Sequence, residues 1–272
     1  MTLQTWRLLD TGAATAAENM AIDEALLILH AEGKSPPTIR FYRWNPPAIS
    51  LGYFQQLEKE INIEACRDEG VEVVRRITGG RAIFHDCELT YSLVALEENP
   101  KVSGSITESY LKIARGLQAG LQKMGAALEM TERPVKSGNK TAACFDAPSW
   151  YELVWQGKKV TGSAQTRKNG AILQHGSIPF SMDSVKFFRL LNFPSDKIRE
   201  KLTSSFEEKA CSLEQVLKRE VSFQEVAGAI KEGMEEQLDI KLIPGELTDR
   251  EKTIAQKLVT EKYATKEWNA RR

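Results

Sequence analysis

K-V-T-G-S-A-Q-T-R (159–167), a turn at Asn169-Gly170, and A-I-L-Q-H-G-S-I-P-F (171–180) form the stretch from which the fold is read. Asn-Gly supplies the two positive-φ positions of a tight hairpin, so these segments are expected as adjacent antiparallel strands. Just upstream, Y-E-L-V-W (151–155) and a Gln156-Gly157 turn lead into the first of them, which reads as another hairpin. E-L-T-Y-S-L-V-A-L (88–96) reads as a long, mostly apolar strand, while V-E-V-V-R-R (71–76) and R-A-I-F-H-D (81–86) flank Gly79-Gly80 as a third hairpin. T-I-R-F-Y-R-W (38–44) and A-I-S-L-G-Y-F (48–54) are two more strands, separated by Asn45-Pro46-Pro47.

Between the strands lie helical patterns. Residues 15–31 carry Ile22, Ala25, Leu26 and Leu29 at helical spacing with Gly33 as a stop, and a short helix is expected near 57–69. The clearest helix is 105–124. Ser105 and Glu108 make a capping box, Ile113, Leu117 and Leu121 lie on one face, and Gly125 ends it. The last third is mainly helical around one strand, D-I-K-L-I-P (239–244), with Ser222/Glu225 and Thr248/Glu251 as further capping boxes. Interspersed elements with hairpin connections predict an α/β (α+β) fold: a mixed, mostly antiparallel sheet with helices packed on it. One large domain is expected over 1–248, with its core at about 30–215, followed by a C-terminal helix and tail at 249–272.

With 272 residues, 42% of them apolar, the chain can bury a full core. A formal net charge of zero does not suggest a nucleic-acid surface. The start M-T-L-Q-T-W-R-L-L-D has no signal-peptide apolar region, and no uninterrupted apolar run is long enough to span a bilayer. Cys66, Cys87, Cys144 and Cys211 are far apart and lack zinc spacing, which fits a reduced, cytoplasmic protein.

Cys144, in T-A-A-C-F-D-A-P-S-W (141–150), carries the chemical argument. A thiol attacks only as thiolate, and a nearby ammonium favours that form. Gly157, Lys158 and Lys159 follow after a short hairpin. A cysteine with a lysine close by can hold an acyl group as a thioester and transfer it without ATP. The plain alternative is a small buried hydrophobe.

In R-R-I-T-G-G-R-A-I-F-H-D (75–86) the glycines either close a turn or let backbone N–H groups approach a ligand, with Arg75, Arg76 and Arg81 adding positive charge. Its spacing is neither a Walker A loop nor a dinucleotide fingerprint. The small residues Gly162, Ser163 and Ala164 admit either a thin ligand or close helix packing. His30 reads as structural. His85 and His175 sit near the glycine turns and can line a pocket, but no metal spacing exists. Arg133, Lys136 and Lys140 make the loop before Cys144 basic, either a solvated face or a docking patch for an acidic carrier protein.

Together, N-M-A-I-D-E-A-L (19–26), P-T-I-R-F-Y-R-W-N-P (37–46), S-L-G-Y-F-Q (50–55), the arginine–glycine block at 75–86, C-F-D-A-P-S-W-Y-E-L (144–153) and G-K-K-V-T-G-S-A-Q-T-R (157–167) resemble the biotin/lipoate protein ligase superfamily. The cysteine segment resembles its octanoyltransferase branch most closely. The resemblance implies Cys144 as acyl-thioester nucleophile and Lys159 as the group that lowers its pKa. It implies an acyl pocket lined by Thr78, Gly79, Gly80, Arg81, Ala82 and His85 together with Gly162, Ser163 and Ala164; Arg76 and His175 are further candidates beside it.

The implied reaction moves octanoyl from the phosphopantetheine of acyl carrier protein to the target lysine of a lipoyl domain such as the glycine cleavage H protein, with no other cofactor. ATP-dependent lipoate ligases of the superfamily carry a third glycine where this chain has Arg81, lack the cysteine, and add a C-terminal domain for which this chain looks short. That ligase activity, octanoyl amidotransfer between lipoyl domains, and a non-catalytic carrier-binding module are the alternatives.

Overall fold

A computed structural model describes residues 3–131 and 151–271. The chain opens with β1 (Gln4–Ala14), α1 (Ala16–Ala31), β2 (Thr38–Trp44) and β3 (Ala48–Leu51). Next come α2 (Leu57–Glu60), α3 (Ile63–Asp68), β4 (Glu72–Arg75), β5 (Ile83–His85), β6 (Glu88–Leu96) and α4 (Ile106–Lys123). After β7 (Glu129–Met130) the description resumes with β8 (Leu153–Trp155), β9 (Lys158–Lys159), β10 (Gly162–Lys168) and β11 (Ala171–Pro179). The remainder is α5 (Ser184–Arg189), α6 (Asp196–Lys209), α7 (Leu213–Leu217), α8 (Phe223–Leu238), β12 (Ile240–Pro244), α9 (Asp249–Leu258), a π-helical turn (Val259–Tyr263) and α10 (Lys266–Asn269).

The central sheet has the order β10-β11-β6-β2-β1-β12. Its β10–β11, β11–β6 and β6–β2 contacts are antiparallel, whereas β1 runs parallel to both β2 and β12. The expected mixed, mostly antiparallel sheet with packed helices is therefore present. The sequence reading missed β1. Its fully buried side chains, Trp6 and Leu9, are three apart, and a register shift between Asp10 and Ala13 around Gly12 (φ 68°) breaks the alternation on which a strand is recognised.

Alternation on β6 divides the two faces of the sheet. Leu89, Tyr91, Leu93 and Ala95 join Ile113, Leu117 and Leu121 of α4 and Ile230 and Met234 of α8 in the main core. The two helices touch backbone to backbone: a Cβ on Gly233 would lie 2.2 Å from the Gly120 nitrogen. The opposite face, beneath α1, receives Glu88, Thr90 and Ser92 from β6, Arg40 and Tyr42 from β2, and His175 and Ser177 from β11, all buried. A buried sheet face this polar must satisfy its groups internally, and that requirement shapes the site described below.

Four local expectations are corrected. Gly79-Gly80 does not close a hairpin, because β4 and β5 pair on opposite sides of β3. The helix near 57–69 is two helices, split where Ile61 bridges to Leu191 and Asn62 caps α3. Lys159 to Arg167 is not one strand. β9 pairs with β8, and after Val160-Thr161 the chain enters the central sheet as β10. Ser222 caps α8 through the Glu225 amide, while the Glu225 carboxylate binds Arg219 instead of returning to the cap.

Residues beyond 248 lie against the body of the fold: α9 packs on α1, and the Arg7 guanidinium donates to both Glu251 carboxylate oxygens. Among the described residues no helix is long and apolar enough to cross a membrane.

Candidate active site

The polar sheet face is organised by Asp23 of α1. Arg40 donates to Asp23 Oδ1 at 2.8 Å and to Asn19 Oδ1 at 2.7 Å, Ser92 donates to Asp23 Oδ1 at 2.8 Å, and the Tyr42 hydroxyl donates to Oδ2 at 3.0 Å. Burial pulls the Asp23 carboxyl upward, but the His175 hydrogen bond, the Arg40 guanidinium and Ser92 outweigh it and hold the group below the ordinary carboxylate range. Burial likewise pushes His175 below its usual value, against the pull of Asp23. A neutral His175 then donates from Nδ1 to Asp23 Oδ2 (3.0 Å) and accepts at Nε2 from the Thr78 hydroxyl (2.7 Å). The helix thus fixes Thr78, the first residue of the glycine turn, through one imidazole.

Arg76 holds the turn from below, and Arg75 holds the neighbouring 52–55 segment. Arg76, 2% exposed, donates to the carbonyls of Ser50, Gly79 and Arg81 at 2.7–2.8 Å and to Thr78 Oγ1 at 3.1 Å. Arg75 donates to the carbonyls of Gly52, Tyr53 and Gln55 and to that of Asn269 in α10. Trp268 Nε1 donates to the Arg75 carbonyl at 2.8 Å, and the Arg75 amide donates to Asn269 Oδ1 at 2.7 Å. The charge of Arg75 and Arg76, expected around the turn, is therefore buried and bound to carbonyls. Gly52 is required in this arrangement, since a Cβ there would sit 1.9 Å from the Gly80 carbonyl oxygen.

Gly79 and Gly80 face Ser163 and Ala164 across an open groove completed by Ile106 and Tyr110 of α4. Ala164 also lines a narrower slot running under α1 between Met20, Trp44, Arg76, Ile83 and His175. Its far end carries His85, stacked on Trp44 with centroids 4.0 Å apart and bonded to Ser50 Oγ at 2.7 Å and Glu88 Oε1 at 2.8 Å. Ser163 Oγ meets the Tyr91 hydroxyl at 2.8 Å beside Gly162. The structure thus brings Gly79, Gly80, Ser163, Ala164, His85 and His175 to one groove and slot, with Arg76 and Thr78 as their buried support and Gly162 buried beside them. Ala82 is buried in a separate apolar cluster with Phe187 and Phe188, and Arg81 is half-buried beside the turn.

Lys159 ends the β8–β9 hairpin, 5% exposed, and its ammonium pairs with the buried carboxylate of Glu152. Thr131 and Glu152 continue the pairing of β7 with β8: the Thr131 amide donates to the Glu152 carbonyl at 3.0 Å, and the Tyr151 amide to the Thr131 carbonyl at 2.9 Å. Cys144, Arg133, Lys136 and Lys140 lie outside the described residues.

Of the other cysteines, Cys66 and Cys211 are buried, and burial pushes each thiol up to about 11. Both are expected to react at least tenfold more slowly with iodoacetamide at neutral pH than an unperturbed thiol, because so little thiolate is present. Peptide mapping after a timed pulse checks this. His30 is buried at the end of α1 with Nδ1 2.7 Å from the Ser35 carbonyl, in keeping with a structural role. Among the described residues no group of three His, Cys, Asp or Glu side chains could hold a metal ion.

Sequence reasoning missed Asp23, Arg40, Glu88, Ser50 and Glu152. The available signal was polar residues at alternate positions of a strand read as apolar (Glu88, Thr90, Ser92) and at helical spacing on an apolar helix face (Asn19, Asp23).

Over residues 15–235 the sequence matches the family described as the lipoyl protein ligase A/B catalytic domain, and the chain belongs to that family. The octanoyltransferase LipM of Moorella thermoacetica is 50% identical over 100% of both chains, and that of Brevibacillus brevis is 48% identical over 99% of this chain and 100% of its own. A solved lipoate-protein ligase A bound with ATP shares the fold with a TM-score of 0.80 and 26% identity, covering 99% of each chain. Within its family the protein is an acyltransferase of the octanoyltransferase type, in protein lipoylation. The ligase matches this chain over almost its entire length, so the expected shortness of the C-terminal part does not by itself separate the two activities.

Proposed function

We propose that the protein moves octanoyl from acyl carrier protein to the target lysine of a lipoyl domain, the glycine cleavage H protein being the expected acceptor, in the cytoplasm and without nucleotide. The supporting observation is the burial of Lys159 and its Glu152 partner where the Cys144-bearing stretch rejoins the described fold. Lysine is almost never fully buried unless paired or used, and this one sits 15 positions from the cysteine in sequence.

In the first step the Cys144 thiolate attacks the donor thioester carbonyl. A new C–S bond forms, the bond to the pantetheine sulfur breaks, and that sulfur leaves as a thiolate and takes up a proton. One thioester replaces another, so no activation is needed. In the second step the neutral acceptor lysine attacks the acyl-cysteine carbonyl and loses a proton. The amide C–N bond forms and Cys144 departs as thiolate. Lys159 favours the anionic sulfur at the start and end of the cycle. The acyl tail occupies the groove and slot, where each buried CH₂ contributes about 0.8 kcal/mol.

The test is donor choice. Octanoylated carrier protein without nucleotide should place one octanoyl group on Cys144 and then on the acceptor. Product from free octanoate and ATP in the absence of carrier would instead assign the ligase activity, which the ATP-bound relative of matching extent keeps as the second reading. Lys159→Met should raise the midpoint of the Cys144 alkylation profile by about 1–3 pH units, the usual effect of losing an adjacent opposite charge. An unchanged profile would remove Lys159 from the thiolate's environment.

A further inference from the structure

The far end of the slot is closed by a wall of hydrogen-bonded polar groups. Glu88, 3% exposed, accepts from His85 Nδ1 at 2.8 Å and from the hydroxyls of Thr90 and Ser177. Thr90 in turn accepts from Trp44 Nε1 at 2.7 Å, and His85 is fixed by Ser50 and by the Trp44 ring. Beside this wall lies a second pocket of about 80 Å³, in which Phe84, Pro179, Met182, Phe187 and Phe206 are joined by Asp86, Asp183 and Ser184 at its open side. Ser177 borders both spaces, and Glu88 borders the outer one. The hydrogen-bonded Glu88–Ser177 pair thus lies where the slot and the outer pocket, with its cluster of phenylalanines, meet.

We propose that the Glu88–Ser177 partition sets the length of acyl chain the enzyme accepts. The proposal rests on the acyl-transfer reading above, which places the tail in the slot. A methyl terminus that reaches the partition can advance only by breaking hydrogen bonds to a buried carboxylate, and unmade bonds to a charged group are the costly kind. Each member also holds another: Glu88 anchors His85, His85 anchors Ser50, and Trp44 stacks on the ring. A wall tied together in this way yields less than an apolar one, whose side chains can change rotamer. Chains shorter than the slot reach less of it and forfeit burial, while longer ones meet the wall. A preference peaked at one length follows, without any group that recognises the tail chemically.

The experiment measures acyl-enzyme formation by intact mass with hexanoyl, octanoyl, decanoyl, dodecanoyl and tetradecanoyl carrier protein. Ser177→Gly and Glu88→Ala open the partition and should raise the decanoyl-to-octanoyl rate ratio by about tenfold, the worth of two more buried methylenes. Ser177→Val thickens the wall and should shift the optimum towards hexanoyl. Glu88→Gln, which keeps both the shape and an acceptor for His85, should restore the octanoyl preference lost in Glu88→Ala. A purely structural role for Glu88 would lower all rates together and leave the ratio unmoved. If the wild-type protein acylates on Cys144 but the length profile is the same in every folded variant, the partition proposal is overturned. If the wild-type protein is acylated by no thioester of any length, the transfer reading itself fails. Ser177→Gly leaves Glu88 with its His85 and Thr90 bonds, so it keeps the test decisive should Glu88→Ala not fold.

Discussion

Cys144→Ala protein mixed with octanoylated carrier should gain no acyl mass, and its turnover should fall by about 10⁴-fold or more, the scale on which a covalent catalyst loses activity without its nucleophile. No other described cysteine is placed to stand in. Cys66 and Cys211 are buried with thiols pushed up to about 11, and Cys87 is exposed at the outer pocket, beyond the Glu88 partition. Electrospray mass spectrometry within the first turnover, followed by peptide mapping, separates a lost intermediate from slow hydrolysis. An octanoyl adduct that persists in the mutant would overturn the assignment.

Asp23→Ala should destabilise the fold by about 3–5 kcal/mol, because it leaves the Arg40 guanidinium, 0% exposed, without its carboxylate. In a chain of this size that corresponds to a fall of about 10 °C in Tm. The double variant Asp23→Ala/Arg40→Met should recover part of the loss, since an apolar pair carries no uncompensated charge. Differential scanning calorimetry of the singles and the double decides it.

The same cluster fixes a pH dependence. The folded His175 pKa lies below its ordinary 6.5, so the unfolded chain binds the proton first and stability falls as pH drops below that value. The folded Asp23 and Glu88 carboxyls lie below their ordinary 3.8 and 4.5. Their contribution is complete above those values and is lost as pH falls through the lower folded ones. A melting temperature that first declines below about pH 6.5 and then collapses in acid is expected, and loss of the Asp23 side chain should flatten the second phase.

The fold was legible in the sequence where its determinants are local. Asn169-Gly170 marks the β10–β11 hairpin, and the Ser105/Glu108 and Thr248/Glu251 boxes set the starts of α4 and α9. Partner choice was not legible, because pairing is decided by residues distant in sequence. Nothing in 71–86 reveals that β3 will lie between β4 and β5, and nothing in 157–167 shows the chain changing sheets after Lys159. For the site, motif positions located the groove, since Gly79, Gly80, Ser163 and Ala164 do face one another. The arginines misled because a guanidinium carries five donors and serves a carbonyl-rich turn as readily as an anion. Arg76 holds the turn's carbonyls, and Arg75 those of the segment after β3.

The fastening of Arg75 by Trp268 and Asn269 spans 193 and 194 positions of chain. As the polypeptide is made, the Arg75 end of β4 therefore cannot gain these bonds until α10 has emerged, long after the strands beside it. Contacts this remote delay folding. Removing α10 would unfasten the end of β4 without deleting any of the residues Gly79, Gly80, Ser163 and Ala164 that line the groove.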